Sequence, residues 1–212
     1  MLICEKDRNT ICLSSQVGCS LSCKFCHTGT QKLLKNLSTP EILSQYLLTK
    51  NSEQKIDNVV FMGQGEPLYN WRNVSRAVRI LTDPMGLRVG KSKITISTSG
   101  IVPLIPKISS ELGVKLAISL HATNDTIRSK IMPINDTYNI KSVLEACEEF
   151  AKNAKCYNKR ISFEYVLLKG INDTISKDAK ELVELLKNLP SHVNLMYFIY
   201  NMIMSNLFFS VL

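Results

Sequence analysis

The stretch Cys19-Ser20-Leu21-Ser22-Cys23-Lys24-Phe25-Cys26 places three thiols within eight residues. Soft thiolates select iron–sulfur clusters or zinc over hard cations. A structural zinc site takes four ligands, with His27, Cys12 or Cys4 as the candidate fourth. A cubane held by Cys19, Cys23 and Cys26 alone leaves one iron open to an outside ligand, and chemistry can start there. The plain alternative is three buried core cysteines. His27 abuts the last thiol, which makes it a weak candidate for the same site.

A second group of residues punctuates apolar runs. Gly63-Gln64-Gly65-Glu66-Pro67 sets a carboxylate between glycine and proline. It reads as a tight turn or as a ligand loop, and its glycines do not fit the dinucleotide pattern G-x-G-x-x-G. Ser97, Ser119, Leu120 and His121 each end or follow a strand-like run, where α/β enzymes collect ligand groups. Helix caps and satisfied core polar groups are the competing reading there. Cys12 on its own reads as a core residue of a strand.

The elements that must position these groups alternate along the chain. Strand-like runs cover 10–15, 56–62, 93–97, 114–120, 160–168 and 193–198, and helical patterns cover 39–50, 74–81, 102–112, 140–154 and 176–189. The first helix carries its own start signal, with Ser38 as cap, Pro40 in the first turn and Glu41 three residues after the cap. Val143, Leu144, Cys147 and Phe150 recur at helical spacing. Strands alternating with helices describe an α/β protein with a mostly parallel sheet, and the apolar runs suggest strands covered on both faces. At 212 residues the chain is short for a closed eightfold barrel, so an incomplete barrel or an open sheet in one domain fits better.

Composition narrows the class. A net charge of +8 and 45% hydrophobic residues exclude collagen-like, mucin-like and broadly disordered chains. The charge suits an acidic partner such as RNA, DNA or an anionic membrane. Of 7 cysteines, five fall before residue 27, which argues against a secreted disulfide framework. The N-terminus turns charged at once and has no apolar signal core, so a reducing cytoplasm is expected. From Asn188 to Leu212 there is no Asp, Glu, Lys or Arg. That stretch approaches a membrane span in length but carries Asn and Ser, and no stable membrane association is expected.

The CxxxCxxC triad resembles that of the radical S-adenosylmethionine (SAM) enzymes. More narrowly, the chain from about Arg8 to about Leu195 resembles the bacterial adenine C2 methyltransferases of 23S rRNA, some of which also methylate tRNA. The segments that carry the resemblance are Cys12 to Cys19, Phe61 to Leu68, Ser97 to Gly100, Ser119 to Ala122, Met132 to Asn135 and Phe163 to Asp173. The resemblance implies an incomplete (β/α)6-type radical SAM barrel over residues 1–198 and an uncharged, aberrant tail over 199–212. It implies that Cys19, Cys23 and Cys26 hold a 4Fe-4S cluster whose open iron binds SAM. Gly65 and Glu66 match the contact with the SAM amino group, where a carboxylate faces an ammonium. Ser97, Ser119, Leu120 and His121 match further SAM contacts.

In that family one SAM methylates a cysteine near the C-terminus and a second supplies a 5′-deoxyadenosyl radical. The methyl carbon then attacks adenine C2, and the residue matching Cys12 helps to resolve the protein–RNA adduct. The implied partners are 23S rRNA, tRNA and a reducing electron donor such as flavodoxin. Lys24, Lys32, Lys35, Arg72, Arg76, Arg79, Arg88, Lys91 and Lys93 are the candidate phosphate contacts. Asn124, Asp125, Arg128 and residues 130–135 are family-like without an assigned role.

Three departures accompany the resemblance. The family carries an N-terminal helical domain, and here the matching region begins almost at Met1. The family continues to a methyl-carrying cysteine, and here no Cys follows Cys156. The Asn-Pro that follows the family's last strand aligns with Ile199 and Tyr200. The expectation from these is a frameshifted or decayed product or a sequencing artefact, and such a chain, if real, is expected not to complete methyl transfer. Three alternatives stay open: a catalytically dead iron–sulfur or RNA-binding remnant, a zinc-stabilised nucleic-acid-binding module, and a tail-anchored membrane protein.

Overall fold

The computed structural model describes residues 1–6, 8–50, 55–155 and 158–197. Cys156, Ile199, Tyr200 and the tail 199–212 lie outside the described residues. A seven-stranded sheet carries the fold. In spatial order its strands are β1 (Leu2–Glu5), β2 (Arg8–Cys12), β5 (Asn58–Phe61), β6 (Ile94–Thr98), β7 (Lys115–Ser119), β8 (Ile161–Leu167) and β9 (Ser191–Tyr197). β1 runs antiparallel to β2, and every later neighbour is parallel. The six parallel strands are those expected from sequence. The order is linear, so the sheet is an open half-barrel rather than a closed one. A ribbon of β3 (Gln16–Val17) and β4 (Lys35–Asn36) stands apart and brackets the cysteine loop.

The crossover helices are α1 (Thr39–Lys50), α2 (Trp71–Thr82), α3 (Ile105–Lys107), α4 (Asp125–Ile131), α5 (Ile140–Asn153) and α6 (Lys180–Leu186). α1 starts as its sequence dictates: the Glu41 carboxylate accepts from the Ser38 backbone N–H at 2.9 Å and from its hydroxyl at 2.8 Å. α2 ends at Asp83-Pro84, because proline disfavours helical geometry in the residue before it. The expected helix over 102–112 is a broken rod. Pro103 and Pro106 divide it into a 3-10 turn, the short α3 and a π turn over Ile108–Leu112, since proline removes backbone donors.

The strands are not covered equally on both faces, and this corrects the expectation from their apolar runs. Strand neighbours in register share a face. One face is the row Ile11, Val59, Ile94 with Phe61, Ile96, Leu116 and with Ile118, Phe163. These side chains are 0–1% exposed and merge with the buried faces of α1, α2 and α5 into one core. The opposite, concave face is polar: Cys12, Val60, Thr95, Lys115 in one row, Ser97, Ala117, Ser162, His192 in the next, and Ser119, Glu164, Asn194 in the third. Period-two alternation is thus present, but short strands rich in Ile and Val conceal it.

Ile96 is fully buried at the centre of the apolar face. Ile96→Ala is expected to destabilise the chain by about 2–5 kcal/mol, read as a lower urea midpoint with an unchanged slope.

Candidate cofactor site

Parallel strands end on one edge of the sheet, and ligand groups collect there. The cysteine loop leaves β2 at that edge and returns through β4. Two glycines let it fold closely. Gly65 has φ +98°, and a Cβ there would meet the Gln16 side chain at 2.5 Å. Gly18 has φ +77°, and a Cβ there would meet the Lys32 carbonyl oxygen at 2.1 Å. Gln16, 2% exposed, ties the surrounding segments together. Its Nε2 donates to Asn36 Oδ1 at 2.8 Å, and its Oε1 accepts from the Glu66 backbone N–H at 3.0 Å and from Ser20 Oγ at 3.4 Å.

The loop sets Cys19, Cys23 and Cys26 within range of one another's charge. Cys26 N–H donates to the Cys23 carbonyl at 3.1 Å, and Cys19 Sγ accepts from the Leu21 N–H at 3.4 Å. Burial pushes the Cys23 thiol up to about 12, and charges on Cys26, Cys19 and Glu66 add to the rise, while Arg128 opposes it. Burial also raises the Cys19 thiol, with Glu66 and Cys26 contributing. Such thiols stay protonated until a cation compensates them, and binding metal releases protons. Among the described residues no three His, Cys, Asp or Glu side chains converge on one point as ligands of a single ion would. A cubane draws each thiolate to a different iron, so ligands arranged around it need no common point. Cys12, Cys19, Cys23 and Cys26 are thiols rather than disulfides. The donor set of Cys19, Cys23 and Cys26 fits a three-cysteine cluster.

Glu66 lies beside the loop and is 2% exposed. Its Oε1 accepts from the Leu68 N–H at 3.0 Å and its Oε2 from the Ser99 N–H at 2.8 Å. Burial raises its carboxyl against the lowering effect of those N–H groups and of the Thr98 and Ser99 hydroxyls. His121 is 3% exposed with φ +56°. Its Nδ1 accepts from the Val166 N–H at 3.0 Å, and its ring meets Phe25 of the cysteine loop edge-on at 4.5 Å. Burial, with Arg128 adding, holds its imidazole down to about 3, so the ring is neutral.

Ser97 and Ser119 lie on the concave face at the ends of β6 and β7, half-buried, and Leu120 follows β7 fully buried. Cys12 ends β2 on the same face, and burial raises its thiol. The structure therefore gathers the residues named from sequence at one edge. Cys147 belongs to the apolar core of α5. His27 is exposed, and its carbonyl accepts from Thr30 Oγ1 at 2.7 Å.

Sequence reasoning missed the work of three residues. Gln16 is one. Arg128 is the second, with its side chain completely buried. Glu164 is the third: it sits on the concave face next to Ser119, and its Oε1 accepts from Asn194 Nδ2 at 3.0 Å. The available signal for Glu164 was a carboxylate in the middle of an apolar strand run.

The basic residues divide between the two ends of the sheet. Lys24, Lys32 and Lys35 rim the cysteine loop, whereas Lys91 and Lys93 precede β6 at the opposite end. Arg79 pairs with Glu111 at 3.0 Å, and Lys35 pairs with Glu41.

A half-barrel of parallel strands with a three-thiol loop at their C-terminal edge defines a radical SAM protein, and the sequence model described as the Radical SAM superfamily matches residues 13–186. The chain belongs to that superfamily, a class of enzymes that use a 4Fe-4S cluster and SAM. Over 92% of its length it is similar to proteins named dual-specificity RNA methyltransferase RlmN, at 46% identity for Chelativorans sp. (strain BNC1) and 49% for Sinorhizobium fredii (strain NBRC 101917 / NGR234). It covers 51% of each, so it spans about half the length of the curated relatives it matches. The crystal structure of a radical SAM methyltransferase from Sphaerobacter thermophilus superposes with a TM-score of 0.85 at 41% identity, covering 92% of this chain and 57% of that one. HydG, a maturase of the [FeFe]-hydrogenase, shares the fold at a TM-score of 0.64 and 11% identity, over 90% of this chain and 43% of its own.

Burial is the main cause that raises the Glu164 carboxyl above its ordinary 4.5, opposed by the Asn194 amide. The folded state then binds this proton more tightly than the unfolded state. Its stabilising contribution is complete below pH 4.5 and is lost as pH rises through the folded value. Glu164→Gln is expected to flatten the fall in stability above pH 4.5, measured by denaturant titration of the cofactor-free protein across pH.

Proposed function

We propose that residues 1–198 form the radical SAM core of an enzyme that methylates adenine C2 in 23S rRNA and tRNA. The observation that carries this reading is the meeting of Cys19, Cys23 and Cys26 with Glu66 at the edge where β5, β6 and β7 end. The likeness to the RlmN proteins supports the substrate and reaction class. When bound, a 4Fe-4S cluster reduced by a donor such as flavodoxin supplies one-electron cleavage of SAM.

Each residue has a task in that reading. Cys19, Cys23 and Cys26 would hold the cluster. Gly65 and Glu66 would receive the SAM amino group through the Gly65 backbone and the Glu66 carboxyl. Ser97 and Ser119 line the cofactor's seat on the concave side, and Leu120 borders it with its backbone while its side chain belongs to the apolar core. His121, kept neutral, packs the cysteine loop through Phe25 and adds no charge to the site. Cys12, protonated at neutral pH, faces the concavity where a substrate base enters and holds a proton there. Thiols of this kind suit a reducing cytoplasm. No helix among the described residues is long and apolar enough to cross a membrane.

A target adenine must leave its stack to reach such a site. Exposed Lys24 and Lys32 beside the loop are placed to hold the flanking phosphates. Lys91 and Lys93, at the far end of β6, are not.

Two experiments test the proposal. Anaerobically reconstituted full chain is expected to take up about four iron and four sulfide and to convert SAM reductively to 5′-deoxyadenosine. Cys19→Ala, Cys23→Ala and Cys26→Ala should each abolish both. Zinc without iron uptake in the native chain would overturn the cluster and favour a zinc-stabilised module. For RNA, Lys24→Ala and Lys32→Ala should each lower the salt slope of binding by about one, while Lys91→Ala leaves it unchanged. Equal effects from all three would remove the assigned RNA face.

A further inference from the structure

Arg128 projects from α4 into the ends of the central strands and is 0% exposed. A guanidinium has five N–H donors, and all are used here. Nε donates to the Leu120 carbonyl at 3.0 Å. Nη1 donates to Asn135 Oδ1 at 3.0 Å and to the Tyr138 carbonyl at 3.4 Å. Nη2 donates to the Ser99 carbonyl at 2.7 Å and to the Ser119 carbonyl at 3.0 Å. Every acceptor is neutral, and among the described residues no carboxylate forms an ion pair with it. With no donor left over, Arg128 cannot also grip a ligand.

The acceptors explain its place. The ladder between β6 and β7 runs as far as Thr98 opposite Ile118. Ser99 and Ser119 are the next residues along, and Nη2 bridges their carbonyls where that ladder stops. The same Ser99 donates its N–H to Glu66. A buried carboxyl and a buried guanidinium are therefore joined through one residue. On the other side, Lys24 of the cysteine loop donates its N–H to the carbonyl of Ile131, at the end of α4, at 2.9 Å. Arg128 thus connects the cysteine loop, the Glu66 loop and the ends of β6 and β7.

We propose that Arg128 is the positioning residue of the cofactor seat: it sets the spacing of Ser97–Ser99 against Ser119–His121 through their backbone carbonyls, without touching SAM. This rests on the reading of the site given above. Lysine keeps the charge but lacks the planar fork, and methionine lacks both. The guanidinium therefore contributes geometry that neither replacement reproduces.

The test uses the full chain, reconstituted anaerobically, as the native form and as Arg128→Lys and Arg128→Met. Circular dichroism, iron per chain and SAM affinity are measured on each, the last by titration. Native protein that takes up no iron or binds no SAM overturns the site reading and this inference with it. With the native chain loaded, Arg128→Lys is expected to keep fold and iron and to bind SAM about 10- to 100-fold more weakly, the range seen when support around a metal centre is removed. Arg128→Met should bind more weakly still or fail to fold, and either result agrees. Arg128→Lys with SAM affinity within about twofold of native overturns the proposal while leaving the site reading intact. So does Arg128→Lys that loses fold and iron together, because Arg128 then serves general stability.

Discussion

Where a parallel ladder runs out, its last carbonyls and amides need partners, and in this protein that edge is also where the cysteine loop sits. A buried backbone group without a partner is costly, so the edge must be closed by side chains. Glu66 closes it from the donor side through the Leu68 and Ser99 N–H groups, and Arg128 closes it from the acceptor side. Each is a strongly polar group in a low-dielectric setting, tolerated because its hydrogen-bonding capacity is engaged. Loop, strand ends and α4 take up their relative positions through these two groups and Gln16.

The same closure shapes the electrostatics. Cys23 feels Glu66 and its fellow cysteines in one direction and Arg128 in the other. His121 is held neutral by burial with Arg128 adding. The site thus combines the raised Cys19 and Cys23 thiols and a neutral imidazole, framed by the Glu66 carboxyl and the Arg128 guanidinium. Such an arrangement gains stability when a metal cluster replaces the thiol protons.

The two faces of the sheet divide the labour. The Ile-, Val- and Phe-rich face binds the sheet to its helices, and it supplies most of the stability through apolar burial. The opposite face spends little of its area on packing and presents Cys12, Ser97, Ser119 and Glu164 to the concavity. The half-barrel similarity to HydG at 11% identity shows that the architecture tolerates wide changes in sequence.

The sequence by itself determined the elements and the chemistry-bearing loop. Six parallel strands were legible because each is a short apolar run bounded by Gly, Pro or Ser, and α1 because its cap and Glu41 are local signals. The three thiols were legible because their spacing is local as well. β1 and the β3–β4 ribbon escaped, being too short to show a period, and α4 escaped because its apolar face is only a few residues long. Tertiary structure alone decided which face of each strand is polar, since register couples residues tens of positions apart. It also decided that Gln16 joins Glu66, that Arg128 bridges Ser99 and Ser119, and that Lys91 and Lys93 lie far from Lys24. Those relations depend on which strand ends share an edge, and no local pattern encodes that.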